Sequence, residues 1–415
     1  ALKCCPTPGF QSLPQTTHFR KHHVPPPGRG RGPAPPCHPV HTFIWIDAGT
    51  EADQRNQSCC IWDMQCYEEK PVPGRGLGLV ATRDIAAGEA VLTDYPLVLY
   101  PQFSLRYEVC LHCLRRLPSD GASSSSWASF CSSACAQAAA RDPGSHNPAV
   151  AAAEAETRFE GLGEEEASAL LLLLRVATLK AAAAAGDTGS TARLQALTSL
   201  SPGCPQPEDA AAALRARLPG DGAGLTLEEV RAVLERDGSN AYGIALEPGV
   251  ADGPIRGSAL CATGSRLNHE CLPNLARQDA FDEARADGDP GSNTGITFRA
   301  LHAIPAGEEL TQSYFPLWWE YDERQSRCRE VYGFSCACPR CKVEGALEAG
   351  QEPDPERCGG ADEAYVQMYL LKFVCPQEEC GGTLCPLSPD SASVAQCNIC
   401  GHRRTDAQFM AELEA

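Results

Sequence analysis

The sequence predicts an α+β fold held together by metal, and three observations predict it. Short apolar runs broken by Gly-Glu turns, at 74–92 and again at 294–314, read as β-strands, and they flank an Ala- and Leu-rich stretch at 147–238 that reads as helices. Eleven of the 23 cysteines stand in three close-spaced groups, at 110–135, 336–341 and 375–400. A polar run from Gly264 to Asn274 carries an Asn-His pair and a Cys-x-Pro-Asn turn between strand segments. At 415 residues the chain has room for roughly two to four domains. With 43% hydrophobic and 21% charged residues it has the composition of a soluble globular chain with some low-complexity filler.

The formal charge of −18 argues against duplex DNA as a partner, because phosphate binding needs clustered Lys and Arg; no sequence-specific DNA binding is expected. The same charge would draw in a basic protein segment or serve only solubility, and charge alone does not separate the two. Short-spaced cysteine groups in a long chain read as zinc sites in a reducing compartment, so nucleus and/or cytoplasm is the expected location. No signal peptide is visible. The chain opens with Ala, which leaves a processed or truncated N-terminus open.

Residues 1–70 are rich in Pro, Gly, Arg and His and are expected to be a mostly disordered tail, since they bury too little apolar surface to offset chain entropy. Phe43-Ile44-Trp45-Ile46 is a short strand or docking patch within it. His18, His22, His23, His38 and His41 are too irregularly spaced for a metal tract. Order is expected from about Pro71. Over 71–109, Gly74 to Ala81 leads through Asp84 to Glu89 into Ala90 to Leu92, read as two strands joined by a hairpin. Gly76 and Gly78 let the backbone approach a ligand because no Cβ intervenes.

Over 110–146, Cys110-x-x-Cys113 and Cys131-x-x-x-Cys135 bracket a Ser-rich loop, and four thiolates in two close pairs suit a tetrahedral zinc. His146 reads as a loop residue. Over 147–238, Glu164-Glu165-Glu166 opens a helix running through Ala167 to Ala185, Gly186 to Ser190 reads as a linker, and Leu225 to Leu234 reads as a helix capped near Thr226. Arg175 and Lys180 interrupt the apolar run, so no membrane span is expected. The β pattern returns at 239–328: Tyr242 reads as core, Asp279 to Ser292 as an exposed hairpin connection, and Thr294 to Ala300 and Leu310 to Tyr314 as strands. In 329–345, Cys336-x-Cys338-x-x-Cys341 supplies three thiolates, one short of a closed zinc site. In 346–415, after a helix, Cys375-x4-Cys380 and Cys397-x2-Cys400 look like a zinc ribbon, with Cys385 left out. Cys59-Cys60 with Cys66 is a weaker metal candidate.

Taken together, Gly264 to Asn274, Ala306 to Tyr314 and Tyr332 to Cys341 closely resemble the signature of SET-domain protein methyltransferases, and the cysteine pairs before them resemble a MYND finger. The resemblance implies a SET β-clip domain split by a half MYND-like finger and a helical insertion, followed by a post-SET zinc segment and the ribbon. It implies that Arg75, Gly76, Leu77 and Gly78 hold S-adenosylmethionine, with Arg75 on the methionine carboxylate. Asn240, Asn268 and, partly through its backbone, His269 would complete the cofactor site, and Phe334 would lie against the adenine. Tyr314 would be the catalytic Tyr, Tyr332 would line the lysine channel, and Cys271 would be the fourth ligand beside Cys336, Cys338 and Cys341. Without the surrounding motif these aromatics would read as core.

Two departures stand out. Leu77 replaces an Asn frequent in the SET-and-MYND group, and the finger lacks ligands for a second zinc. The ribbon in place of a tandem helical repeat is also similar to plant trithorax-related SET proteins. The implied activity is methyl transfer to protein lysines, histones included, by a chromatin regulator with three structural zincs. The alternative is a catalytically weak scaffold whose zinc modules recruit partners, transcription factors among them.

Overall fold

The computed structural model describes residues 65–117, 130–154, 156–246, 253–283, 293–378 and 380–414. The readings made on the N-terminal histidines, Phe43 to Ile46, Cys59 and Cys60 lie outside them, as do 118–129 of the Ser-rich loop and 284–292 of the acidic connection.

Three small sheets surround the polar run. They are built from β1 (Tyr67–Val72), β2 (Gly76–Ala81), β3 (Ala90–Asp94), β4 (Pro96–Pro101), β5 (Ala241–Ala245), β6 (Ile255–Cys261), β7 (Asn268–His269), β8 (Leu275–Asp279), β9 (Ile296–Ala300) and β10 (Glu309–Gln312). Their orders are β1-β2-β10-β7, β3-β9-β8 and β4-β6-β5. Leu79, Ile85, Leu267, Leu275, Phe298 and Leu310 form their shared apolar core. Within that core the short β7 pairs in parallel with β10, Thr311 opposite Asn268 and Gln312 opposite His269.

Two expectations about the N-terminal strands are corrected. Order starts before Pro71, because Tyr67 to Val72 already pairs with β2 as an edge strand. Its charged Glu68-Glu69-Lys70 segment is solvent-facing, as edge strands commonly are. The hairpin is β1–β2, turning through Pro73-Gly74-Arg75. β2 and β3 belong to different sheets, since Ile85 bridges to Ile304 and Gly88 N donates to Ala300 O at 2.8 Å. The stretch between them is therefore consumed by long-range pairing. Cys66 is core, its Sγ 3.7 Å from Val91 O.

The helices are α1 (Ser133–Arg141), α2 (Pro148–Ala153), α3 (Glu164–Ala184), α4 (Thr188–Ser199), α5 (Glu208–Arg217), the single turn α6 (Pro219–Gly222) and α7 (Leu227–Asn240), followed later by α8 (Tyr321–Arg327), α9 (Pro339–Glu348), α10 (Glu363–Phe373) and α11 (Asp406–Glu414). By length and composition α3 could cross a membrane, yet 61% of its apolar window is buried in this protein, against α4, α5, α7 and β4. Burial pushes the Arg175 guanidinium within it down to about 10. The linker expected at 186–190 becomes the three residues Ala185 to Asp187: Asp187 caps α4, accepting from Ser190 N at 2.7 Å. Thr226 caps α7 with a reciprocal Glu229 bond. The C-terminal ribbon consists of β11 (Leu384–Pro386), β12 (Val394–Cys397) and β13 (Arg403–Thr405).

Candidate active site

β2 presents Gly76 and Gly78 to the polar run. Gly76 has φ +79°, a left-handed value that side chains disfavour. A Cβ on Gly78 would stand 2.8 Å from Asn268 Nδ2, so only Gly lets that amide approach. Asn268 Nδ2 then donates to Leu77 O at 3.2 Å and to Glu309 Oε1 at 2.8 Å. Asn274 fixes the other end of the run. Its Nδ2 donates to Glu309 O and its Oδ1 accepts from Thr311 N, both at 2.8 Å. The 268–274 segment is thus clamped along β10, and Tyr314 follows two residues beyond that strand.

His269 is the hub. Its ring lies 5.2 Å from Tyr314, 4.5 Å from Phe315 and 6.1 Å from Phe334. Tyr332 stands 4.7 Å from Tyr314 and 6.3 Å from Phe334. Burial pushes the imidazole down to about 3, so it is neutral at physiological pH. The Tyr314 phenol donates to Leu267 O at 3.0 Å. Burial, then the neighbouring Tyr332, holds its pKa above the ordinary tyrosine value, so the phenol stays neutral.

Arg75 is exposed yet engaged. It donates to His269 O and pairs with Glu270 at 3.3 Å and Glu309 at 3.0 Å. Burial raises the Glu270 carboxyl, and its Oε1 has no hydrogen-bond partner. Asn240 stands apart from this group. Its Nδ2 donates to Ser201 O and Arg236 O, both at 2.8 Å, finishing α7. It reaches the polar run only through its carbonyl, which accepts from Ser265 Oγ at 3.4 Å.

All three cysteine groups come together. Cys110, Cys113, Cys131 and Cys135 form one, Cys271, Cys336, Cys338 and Cys341 the second, and Cys375, Cys380, Cys397 and Cys400 the third. Sulfur separations are 3.5–3.8 Å in the first, 3.5 and 3.9 Å in the second, 3.5 and 3.7 Å in the third. A tetrahedron of thiolates around zinc, with bonds of about 2.3 Å, has edges of about 3.8 Å, so each donor set fits the ion. Cys385 instead packs its Sγ against Arg299 and Ala300 carbonyls, and His146 lies 3.4 Å from Glu154 in a buried loop.

Sequence reading missed Arg324. Its side chain is fully buried, and it donates to Cys271 Sγ at 3.3 Å, to Cys341 Sγ at 3.7 Å and to Glu344. Burial opposes its charge, but Cys271 and Glu344 hold it well above the usual range. Arg340 shares Glu344 at 2.7 Å and donates to Leu317 O, tying α9 to the loop after Tyr314. Spacing gave no signal for either, since an Arg on a short charged helix reads as a solvated face.

The SET domain family model matches residues 76–315. The protein named histone-lysine N-methyltransferase ASHR2 of Arabidopsis thaliana is 31% identical, over 81% of this chain and 94% of its own length. A SET and MYND domain-containing protein of Dictyostelium discoideum is 28% identical, over 37% of this chain and 32% of its own. The crystal structure of the SET domain of LSMT bound to lysine and AdoHcy aligns over 70% of this chain and 62% of that one, at 12% identity and a TM-score of 0.31, too low for inference.

Proposed function

The chain belongs to the SET domain family, and from that premise we propose that it methylates lysine side chains of proteins, with S-adenosylmethionine as donor and a histone tail as substrate. One observation carries the proposal. The glycine edge of β2, the Asn268 amide and the His269 carbonyl adjoin a cluster of three aromatics, Tyr314, Tyr332 and Phe334. The name of the Arabidopsis relative supports the substrate class. The net charge of −18 suits a Lys- and Arg-rich segment.

When bound, S-adenosylmethionine supplies an electrophilic methyl group. The orphan Glu270 Oε1 and the carbonyls of Leu77 and His269 are acceptors suited to its ammonium end, and Arg75 is a donor suited to its carboxylate. Asn268 would hold the same end through its side chain. Phe334, 37% exposed, offers an apolar face to the adenine. Tyr314 is no general base, because its phenol stays neutral and its proton is engaged on Leu267 O. It can orient an incoming amine through its remaining lone pairs, and it presents a fixed dipole to charge developing on that amine. His269 takes no proton either, since both ring nitrogens are already engaged. The amine must therefore arrive unprotonated, with Tyr332 walling its path. Zinc at Cys271, Cys336, Cys338 and Cys341 would hold the segment bearing Phe334 against this site.

The test is transfer of radiolabel from S-adenosylmethionine to core histones and to a nuclear extract. Incorporation that depends on Tyr314 is expected. Failure to bind the cofactor by calorimetry would overturn the proposal, and cofactor binding without turnover on either substrate would favour partner recruitment instead.

A further inference from the structure

One buried side chain joins the Cys271 metal group to Tyr314. The Tyr314 backbone N–H lies 3.2 Å from His269 Nδ1. An amide N–H can only donate, so Nδ1 carries the lone pair and the ring's single proton sits on Nε2. Nε2 lies 3.2 Å from Cys271 Sγ, so it donates to sulfur. A metal-bound thiolate is a charged acceptor, whereas a neutral thiol accepts weakly; the bond is therefore strongest when the site is loaded. The same sulfur receives Arg324 Nε at 3.3 Å. Four thiolates on a divalent ion carry a net charge of about −2, and Arg324 offsets part of it in an interior where such charge is costly.

We infer that His269 is a positioning residue that couples metal at Cys271, Cys336, Cys338 and Cys341 to the placement of Tyr314, with Arg324 as the second donor to the Cys271 thiolate. The loaded thiolate orients the imidazole through Nε2–H, and Nδ1 in turn holds the Tyr314 amide. The Tyr314 phenol, on the Leu267 carbonyl, is thereby set from the metal side. Neither ring nitrogen is spare, so the side chain serves this link while its carbonyl faces Arg75. The kinetic arm of the test rests on the lysine-methylation reading above; the metal arm does not.

The experiment loads full-length protein with cadmium-113 in place of zinc and reads its NMR spectrum. Three resonances are expected, and Cys271→Ser identifies the one belonging to this site. His269→Phe and Arg324→Leu should each shift that resonance and leave the other two in place. Metal loss from that site to excess chelator should rise about 10- to 100-fold, the usual cost of removing an outer-shell partner. His269→Gln keeps a donor at the ε position and should restore the resonance without restoring the methylation rate. His269→Asn keeps an acceptor for the Tyr314 amide and should lower kcat less than His269→Phe does, with cofactor affinity unchanged. If His269→Phe fails to fold, the Gln and Asn variants carry the same contrast. A Cys271 resonance indifferent to every His269 variant overturns the coupling, and so does a shift of all three resonances together. An inactive parent whose Cys271 resonance still moves overturns the methylation reading alone and supports the metal contact.

Discussion

Two four-cysteine groups with the same ligand chemistry are built in opposite ways. In the C-terminal ribbon the four ligands fall within Cys375–Cys400, Cys400 is exposed, and Cys397 Sγ accepts from its own loop at Ile399 N, 3.4 Å away. In the other, Cys271 comes from the polar run and its three partners from the 336–341 segment. Cys271 is only 1% exposed and is met by His269 and Arg324 side chains. The ribbon closes its own metal group and meets the sheets beside it, through Asn398 Nδ2 to Arg277 O at 2.8 Å and through Cys385, which is buried with Ala276 and Leu301. The Cys271 group cannot form without bringing the site together. The expectation is that a metal group influences chemistry through the side chains that reach its sulfurs, which here means His269 and Arg324 at Cys271.

The largest expected effect breaks this pairing directly. Cys271→Ser should lose one zinc, stability and cofactor affinity together, because the binding energy of a structural zinc, on the order of 10 kcal/mol, is folding energy. Cys397→Ser should also lose one zinc but unfold locally, keeping methyl transfer within about tenfold of the parent. Elemental analysis starts from an expected three zincs in the parent, and transfer assays complete the comparison. Equal loss of activity in both variants would show that the two groups do not differ in this way.

Next comes Tyr314→Phe, which leaves every metal site intact. Loss of this one polar contact should cost roughly 100- to 1000-fold in kcat, about 3–4 kcal/mol, with little change in cofactor affinity. Asn268→Ala should do the reverse and first weaken cofactor binding. Calorimetry beside steady-state kinetics separates them, and an undiminished Tyr314→Phe turnover would remove Tyr314 from the catalytic set.

What could be read in the sequence was what is local in the chain. The close cysteine pairs carry their meaning in spacing of a few residues, whereas the Gly76–Gly78 edge and Asn268-His269 took theirs from the family resemblance, and the structure brings each set together. Cys271 was reached only through a family resemblance, since its partners lie 65 and more residues away. Arg324 and the imidazole's role were illegible, because a buried cation is recognisable only once its thiolate neighbours are placed. The β2–β3 hairpin was misread for a related reason: Ile85 and Gly88 prefer partners at Ile304 and Ala300, which no local pattern announces. Asp187 was taken for linker because a capping Asp and a loop Asp look alike without the helix that follows.

A smaller effect is expected where α10 meets the polar run. Tyr369, 6% exposed, donates to Pro273 O. Tyr369→Phe leaves that carbonyl unpaired and should cost about 1–3 kcal/mol of global stability by denaturant titration. Because Pro273 lies two residues from Cys271, the loss should also speed metal release from that group. An unchanged midpoint would mean that water replaces the phenol.

The smallest effect tests the ribbon's independence. Asn398 uses its amide twice: Nδ2 donates to Arg277 O across to β8, and Oδ1 accepts from Thr383 N inside the ribbon, each at 2.8 Å. Asn398→Asp keeps the acceptor and removes the donor, so it severs the outward bond while sparing the inward one. A hydrogen bond of this kind contributes about 1 kcal/mol net, and the ribbon keeps its metal and its other contacts with the sheets. Hydrogen exchange should therefore quicken at the β12 and β13 amides and stay unchanged at β7 and β10, with methyl transfer within about twofold of the parent. If β7 and β10 exchange faster as well, or if the rate falls as it does for Tyr314→Phe, the ribbon is mechanically joined to the active face. The contrast between the two metal groups would then be one of degree, because strain in the ribbon would reach the Asn268–His269 pair through the sheets rather than through the thiolates.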